Sequence, residues 1–267
     1  MTTSKARGKH GIGLTDTALC ISEELQIPVI DRQNKGIPKL IELYQLDGLL
    51  VEEEQELIAH WKDGGRLSFH PGMAVPRIKH IKDGEDEMLA LVAGIQPGDR
   101  ILDCTMGMGN DAIVMAWLAG EQGSVTSLES SPLIYAVTSY GLKHWPTDSW
   151  RMKQAMERIT PLHGNYEGFL AEQPEHSYDI VYFDPMFERP IMESSGIAPL
   201  RREANYAPLT RDILELACRV ARRCVVVKHR AGTLRSLQFD EIAGGKYSAL
   251  AYGVLYADQE KERSVHR

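Results

Sequence analysis

The segment from Asp103 to Asp111, with the sequence DCTMGMGND, combines two acids and two glycines in a pattern that suits ligand binding. Glycines at 107 and 109 can adopt a positive φ and let the backbone approach a ligand closely. Asp111 can cap the helix that follows, but its charge would repel a pyrophosphate at that helix N-terminus. Ala112 stands where the third glycine of the dinucleotide-binding fingerprint would be. The segment therefore predicts a ligand without phosphates rather than NAD, with an ordinary tight turn as the alternative.

A second candidate binding residue, Glu129, directly follows a short apolar run at 125–128 that is typical of a buried strand. An acid at the end of the strand after a glycine loop is placed to accept hydrogen bonds from ribose hydroxyls. Taken alone, Glu129 could equally be an exposed strand-end residue. Together with the glycine loop, it favours binding of a nucleoside.

A third motif, Asp184-Pro185-Met186-Phe187, comes directly after the apolar run at 180–183. In open α/β sheets, ligands bind beyond the carboxyl ends of the strands. Pro185 lacks an N–H and stiffens the loop, so that nearby carbonyls can face a planar amine. Phe187 can stack on a flat ring, although a proline turn with a buried Phe is the alternative. We predict that Asp184, Pro185 and Phe187 are catalytic residues acting on an amine.

The elements that must position these motifs follow from an alternation that begins at Arg100. Short runs rich in β-branched residues alternate with helical stretches, which indicates a mostly parallel sheet covered on both faces. We expect a doubly wound α/β fold with a mostly parallel seven-stranded sheet and a C-terminal antiparallel hairpin. The predicted strands are 101–103, 125–128, 159–162, 180–183 and 224–228, the helices 111–119, 133–144, 167–173 and 207–220, and the hairpin pairs 237–242 with 248–256.

The region before Arg100 predicts a separate small unit. We divide the chain into a flexible tail at 1–15, a small N-terminal α/β unit at 16–76 and the doubly wound domain at 77–267. The run Asp63-Gly64-Gly65 between two apolar stretches predicts a hairpin. The expected elements here are helices at 16–25, 37–44 and 77–95, strands at 27–30, 48–51, 57–61 and 66–69, and a turn at 52–54.

Composition excludes several classes of protein. With 43% apolar and 25% charged residues, the chain is neither disordered nor fibrous. Its apolar runs are far shorter than the roughly 20 residues that cross a bilayer, and the polar stretch Met1–His10 predicts no secretory signal. The 4 cysteines form no CxxC pair, which favours a reduced cytoplasm over a zinc or disulfide framework. His60, His70 and His80 lie in separate predicted elements, so we predict no metal site.

Together, these motifs resemble Rossmann-like S-adenosylmethionine (SAM)-dependent methyltransferases. The Asp-Pro-Met-Phe motif is similar to the Asp/Asn-Pro-Pro-Tyr/Phe motif of enzymes that methylate exocyclic amines, with Met186 replacing the second proline. The greatest resemblance is to the bacterial family that methylates the N2 amine of a guanine in small-subunit ribosomal RNA. The matching stretches are 103–112, 162–164, 182–187 and 225–228.

The resemblance implies a cofactor, S-adenosyl-L-methionine, and roles for individual residues. Asn110 and Asp111 would contact the methionine end or the ribose, Asn165 and Tyr166 would flank the adenine, and Asp184 would lie between cofactor and substrate. The implied cofactor-binding residues are Asp103, Thr105, Gly107, Gly109, Asn110, Asp111, Glu129, Ser130, Asn165, Tyr166 and Asp184.

The charge pattern bears on the substrate. The net charge of −7 gives no overall basic footprint for a nucleic acid. Six Lys or Arg residues and no acid nevertheless lie between Arg219 and Arg235, where Lys228 and Arg230 are candidate RNA contacts unless the cluster is only a set of solvated helix ends. Arg201 and Arg202 can supply phosphate contacts.

The predicted function is methyl transfer from S-adenosylmethionine to an exocyclic amine of a guanine in ribosomal RNA. One alternative is a methyltransferase for a small molecule or a protein carboxylate, which the acidic net charge favours. Another is a non-catalytic cofactor-binding factor for RNA assembly, which the presence of both Glu129 and Asp184 disfavours. The predicted partner is the small ribosomal subunit, and the oligomeric state stays open.

Overall fold

The computed structural model describes residues 1–3, 13–185, 208–245 and 250–257. A four-stranded sheet lies near the N-terminus in the order β1-β2-β3-β4, and two helices accompany it. Its elements are β1 (Thr2–Thr3), α1 (Asp16–Glu24), α2 (Ile37–Leu43), β2 (Gly48–Glu53), β3 (Glu56–Trp61) and β4 (Arg66–Leu67). The hairpin predicted at residues 63–65 joins β3 to β4, and the Gly65 N–H donates to the Asp63 carboxylate.

Two expectations for this region were wrong. Residues 1–3 are no tail, because β1 pairs in parallel with β2 and Met1 is buried. Residues 27–30 form no strand, although the Ile30 N–H donates to the Met1 carbonyl. Pro28 and Ile30 in this stretch instead hold the first residues of the chain, because their carbonyls accept from the Met1 ammonium and the Thr2 hydroxyl. The rest of the predicted tail, residues 4–12, lies outside the described residues.

Two helices lead from this sheet into the main domain, α3 (Ala74–Lys82) and α4 (Met88–Ala93). The single helix predicted over 77–95 is wrong because Gly84 adopts a φ of +83° between them. Glu87 then starts α4, with its carboxylate accepting from the Ala90 N–H. The apolar residues fit one continuous helix, but this left-handed glycine followed by a helix cap ends it.

The predicted seven-stranded sheet is confirmed, in the order β10-β11-β9-β8-β5-β6-β7. β11 runs antiparallel to both its neighbours, β10 and β9, and the other pairs are parallel, so the predicted C-terminal hairpin is also confirmed. The strands are β5 (Arg100–Asp103), β6 (Ser124–Glu129), β7 (Ile159–His163), β8 (Tyr178–Phe183), β9 (Ala221–Arg230), β10 (Glu241–Gly244) and β11 (Leu250–Tyr256).

Helices cover both faces of this sheet, as a doubly wound fold requires. Sequence reasoning missed two of them, Trp150–Glu157 and Ala231–Leu237. The helices are α5 (Asn110–Ala119), α6 (Pro132–His144), α7 (Trp150–Glu157), α8 (Tyr166–Glu172), α9 (Arg211–Val220) and α10 (Ala231–Leu237). No helix among the described residues is long and apolar enough to span a membrane.

Alternation along the strands produces two apolar layers. On β8, Ile180 and Tyr182 pack into the core shared with α5 and α6, whereas Val181 and Phe183 pack into the core shared with α8 and α9. All four are fully buried. Each buried aliphatic or aromatic side chain of this size contributes about 1.5–3 kcal/mol to folding. The sheet is therefore stable enough to hold the residues at its edge in fixed positions.

The N-terminal sheet shares a core with the main domain. β3 packs against α6, and Leu50 and Trp61 belong to the same buried cluster as Ile134 and Tyr140. The predicted boundary between residues 76 and 77 falls inside α3. A boundary at this position would divide a helix, and the division into a unit at 16–76 and a domain at 77–267 stays a prediction.

Candidate active site

Three acids meet at the carboxyl edge of the sheet. Asp103 ends β5, Glu129 ends β6 and Asp184 directly follows β8. β5 lies between β6 and β8, so the strand order reverses on its two sides. Such a switch point opens the crevice in which doubly wound proteins bind ligands. The structure thus brings together the acids that the sequence pattern singled out.

The glycine loop between β5 and α5 has the backbone shape that only glycine adopts easily. Gly107 has a φ of +52° and Gly109 a φ of +71°. A Cβ on Gly107 would meet no heavy atom of the described residues within 4 Å, whereas one on Gly109 would lie 3.3 Å from the Thr138 methyl group. Gly107 therefore lines open space, and Gly109 lets the loop pack on α6.

Glu129 braces this loop from the neighbouring strand. One oxygen of its carboxylate accepts from the Gly107 N–H at 3.0 Å, and the other accepts from the Ser131 N–H at 2.9 Å. Burial raises the pKa of Glu129, and backbone N–H groups of Ser131, Gly107 and Ser130 oppose that rise. A carboxylate offers about four lone-pair directions, so Glu129 keeps the capacity to accept from a ligand hydroxyl.

Asp103 supports the loop from inside the protein. Its carboxylate accepts from the Thr105 N–H and from the Ser127 hydroxyl, both at 3.0 Å. Only 1% of the residue is exposed, and this burial raises its pKa to about 7 despite those two hydrogen bonds. Asp103 therefore stabilises the glycine loop by accepting hydrogen bonds from Thr105 and Ser127.

Asn110 and Asp111, the first residues of α5, fasten α3 to the loop. The Asn110 Oδ1 accepts from the Met73 and Ala74 N–H groups, each at 3.1 Å, and so caps α3. The Asp111 carboxylate pairs with the Arg77 guanidinium of α3, which also binds Glu87 at 2.6 Å. Both side chains thus have protein partners, and their predicted contacts with the cofactor stay predictions.

Asp111 continues into a line of charged groups that ends at Asp184. Its Oδ2 accepts from the Tyr182 hydroxyl at 2.8 Å and from the Lys228 ammonium at 3.0 Å. The same ammonium donates to the Asp184 Oδ2 at 2.7 Å. Burial alone would raise the pKa of Asp111, but Lys228 and Arg77 outweigh it and hold that pKa below its usual range.

Asp184 sits where the motif after β8 meets the glycine loop. Its backbone N–H donates to the Thr105 Oγ1 at 2.7 Å, a contact that spans the switch point. Its side chain is 28% exposed, against 13% for Asp111, so it is the open end of the charged line. Burial raises the pKa of Asp184 to about 6; Lys228 opposes that rise and Asp111 adds to it.

This geometry agrees with what comparison with known proteins finds. The profile of the family described as "Putative SAM-dependent methyltransferase" matches residues 49–242. The chain belongs to this family.

The methyltransferase is also similar to individual proteins. It is 36% identical over 256 residues to "Uncharacterized protein YpiP" of Bacillus subtilis, covering 96% of this chain and 98% of that protein. It is 30% identical over 184 residues to "Ribosomal RNA small subunit methyltransferase J" of Stutzerimonas stutzeri, covering 68% of each. A crystal structure of the SAM-dependent methyltransferase NGO1261 from Neisseria gonorrhoeae shares the fold, with a TM-score of 0.63 at 19% identity, over 96% of this chain and 95% of that one.

S-adenosylmethionine is the cofactor of the methyltransferase, and the edge of its sheet fits that molecule. The open space beside Gly107 is one that a Cβ would partly fill. Glu129 faces the same loop with spare acceptor capacity for ribose hydroxyls. The acidic start of α5 at Asp111 suits a cofactor that carries no phosphate.

Two further residues predicted to bind the cofactor serve the protein's own structure. Asn165 caps α8, its Oδ1 accepting from the Glu167 N–H at 2.9 Å. Tyr166 is buried and packs edge-on against Phe183, with ring centroids 5.5 Å apart. The Ser130 carbonyl lies 3.2 Å from a ring nitrogen of His163. The contacts of Asn165 and Tyr166 with an adenine, and of Ser130 with the cofactor beside Glu129, stay predictions.

The residues predicted to contact RNA fare differently. The structure places the Lys228 ammonium between two carboxylates, an arrangement that a phosphate would have to break. Arg230 stands at the N-cap position of α10. Phe187, Arg201 and Arg202 lie outside the described residues.

Sequence reasoning missed the roles of Arg77 and Tyr182. Arg77 lies in α3, far from the motifs in sequence, and Tyr182 reads as one more apolar residue of a buried strand. A signal was available, because a buried acid such as Asp111 needs a cation or a donor nearby. The rule predicts that Asp111 has partners, but it does not predict which element of the fold supplies them.

Proposed function

We propose that this methyltransferase modifies an exocyclic amine of a guanine in small-subunit ribosomal RNA. The observation that carries the proposal is the position of Asp184, a partly exposed carboxylate tied through its N–H to the cofactor loop. An amine donates hydrogen bonds and gains positive charge as it accepts a methyl group. A carboxylate at this place can accept from the amine and stabilise that charge.

The chemistry follows from positioning. S-adenosylmethionine, when bound, supplies a methyl group activated by its sulfonium. Asp184 and the carbonyl of Pro185 would hold the two amine hydrogens and so orient the nitrogen for attack. As the N–C bond forms, the C–S bond breaks and the demethylated cofactor leaves, and the proton that the nitrogen loses can pass to Asp184. The Thr105 hydroxyl holds the Asp184 backbone beside the glycine loop, so that the carboxylate keeps a fixed position relative to a cofactor bound there. Such alignment supplies much of the rate enhancement in bimolecular transfers.

RNA as the substrate is supported by the relatives named for methylation of small-subunit ribosomal RNA. The base must leave its stack to reach the site, and Phe187 is the residue we expect it to stack on. A ribosomal substrate would place the reaction in the cytoplasm. A carboxylate acceptor is disfavoured, because Asp184 would repel it. A non-catalytic role is disfavoured, because it needs no acid at that position.

A methyl-transfer assay with labelled S-adenosylmethionine tests the proposal. The acceptors are small ribosomal subunits from cells lacking this gene, their naked RNA, bulk protein and a metabolite extract. We expect label in the small-subunit RNA, recovered as N2-methylguanosine after digestion to nucleosides. Label in protein or in small molecules, with none in RNA, would refute the proposed substrate.

A further inference from the structure

Lys228 occupies a central place that the proposed chemistry does not yet use. It lies on β9, beside β8, and its ammonium contacts the Asp111 Oδ2 at 3.0 Å and the Asp184 Oδ2 at 2.7 Å. Its side chain is 19% exposed, between the values for the two acids. The ammonium thus binds both a deeply placed carboxylate and one that faces the crevice.

We propose that Lys228 is a positioning residue for methyl transfer, which keeps Asp184 ionised and turns one of its oxygens towards the substrate amine. This inference rests on the proposed function for the nature of the acceptor. Its physical basis is the pair of acids that share one cation. Two carboxylates held this close and poorly hydrated cannot both stay ionised once that cation is removed.

The neighbouring contacts decide which of the two acids would take the proton. Asp111 keeps the Arg77 guanidinium and the Tyr182 hydroxyl, both of which favour its ionised form. Among the described residues, Lys228 is the cation that contacts the Asp184 carboxylate. Loss of the ammonium would therefore protonate Asp184, and an amine-accepting carboxylate would become a neutral acid.

Orientation follows from the same contact. Lys228 binds Oδ2, and the Asp184 N–H is held by Thr105. Among the ion pairs of the described residues, the ammonium holds Oδ2, so Oδ1 is the oxygen that we assign to the substrate amine. Removal of Lys228 would free the carboxyl group to rotate, which would weaken alignment as well as charge.

The electrostatic surroundings of this pair come from several elements. Burial lowers the pKa of Lys228, but Asp184 and Asp111 outweigh that effect and raise it above its usual range, so the ammonium stays charged throughout the range of interest. The charged and titratable groups that the structure describes around the pair are Asp103 on β5, Asp111 on α5, Tyr182 on β8, Tyr252 on β11, Arg77 on α3 and Glu87 before α4.

The test follows the ionisation of Asp184 in the full-length protein by NMR of carbon-13-labelled aspartate carboxyls. Its signal is assigned by its loss in Asp184→Asn. We expect Lys228→Met to move the titration midpoint upwards by about one pH unit or more, the size of effect expected from an adjacent opposite charge. The acid limb of kcat should move with it, and Lys228→Arg should restore both.

Arg223→Met is the matched control. Arg223 lies near the start of the same strand and forms a partly buried pair with Asp99 at 2.6 Å, at the opposite end of the strand from Lys228. We expect this variant to lose stability without moving the Asp184 titration. An unshifted midpoint in folded Lys228→Met, or an equal shift in the control, would overturn the inference. A wild type that methylates no RNA would refute the proposed function, while the NMR titration would still decide the role of Lys228.

Discussion

Glu129 has two roles: it orders the glycine loop, and it is predicted to bind the ribose. Replacing it with Ala should weaken binding of S-adenosylmethionine by about 1–3 kcal/mol, the range for a hydrogen bond to a charged group. Titration calorimetry with the cofactor and with its demethylated product measures the loss. The side chain lies at a strand end, so the sheet itself should remain folded.

The variant Glu129→Gln separates the ordering of the loop from the binding of the ribose. The amide keeps an oxygen that can accept from the Gly107 or Ser131 N–H, but it carries no charge for the ribose hydroxyls. We expect its affinity to lie between those of the wild type and the Ala variant. Full affinity in a folded Glu129→Ala protein would show that Glu129 does not bind the ribose.

Asp184→Asn should reduce turnover far more than cofactor affinity. A negative group beside the amine stabilises the transition state more than the ground state, and such selective stabilisation raises kcat. Burial raises the pKa of Asp184 to about 6, so the wild-type kcat should fall as the pH drops through about 6 and the carboxyl gains its proton. Steady-state rates from pH 5 to 9 measure this acid limb, which we expect at about this pH.

The variant provides its own check on that interpretation. Asn does not titrate, so the residual activity of Asp184→Asn should lack the acid limb. Calorimetry should show cofactor binding close to that of the wild type. Full turnover by this variant on a substrate that the wild type methylates would exclude the amine mechanism, and an oxygen or carboxylate acceptor would then explain the site better.

At the level of elements, α3 depends on a cap that comes from another helix. Asn110 accepts both N–H groups at the start of α3, so Asn110→Ala should cost about 1 kcal/mol of stability, as the loss of a helix cap does. Hydrogen exchange at Met73 and Ala74 should become faster. Asn165→Ala is the matched control, since it removes a cap from α8 and should leave exchange at the α3 amides unchanged.

Elements with a clear apolar pattern could be predicted from the sequence, whereas two helices without one could not. Four of the five parallel strands contain runs of three or more buried residues, which a sheet covered on both faces accommodates, whereas the edge strand β7 buries only Ile159. Half of the residues in the helix at Trp150–Glu157 are polar, and the helix at Ala231–Leu237 contains Gly232. Helices this short are stabilised by tertiary packing rather than by their own propensity, so local patterns understate them.

The site was predictable to a similar extent. Strand-end acids and positive-φ glycines leave a local trace, which is why Asp103, Glu129 and Asp184 could be chosen from the sequence. The pairing of Lys228 with two carboxylates depends on β9 lying beside β8 and on the start of α5 facing both. No local pattern in the sequence records that juxtaposition, and Lys228 therefore resembled one member of a basic cluster.

Across the whole molecule, the N-terminal sheet and the main sheet are joined through α6. The Tyr135 hydroxyl donates to Glu24 at 2.6 Å, and a ring nitrogen of His144 lies 3.0 Å from the Thr17 hydroxyl. The connection also has an apolar part, because Phe69 packs against Gly141 and Trp145 near the C-terminal end of α6. α6 also contacts the cofactor loop, since the Thr138 hydroxyl donates to the Gly107 carbonyl at 2.7 Å. Changes at the junction can therefore reach the site.

Gly141 is the point at which this junction is tightest. A Cβ there would overlap the ring of Phe69, which is itself buried. Gly141→Ala should therefore destabilise the protein by about 1–3 kcal/mol, the usual cost of overpacking, although Ala is the better helix former.

Gly168→Ala in α8 is the control, because a Cβ there meets no heavy atom of the described residues within 4 Å. That variant should gain roughly 0.5–1 kcal/mol from helix propensity alone. Urea unfolding of both variants measures the contrast, and equal gains at the two positions would show that Phe69 yields freely and that the junction is not tightly packed.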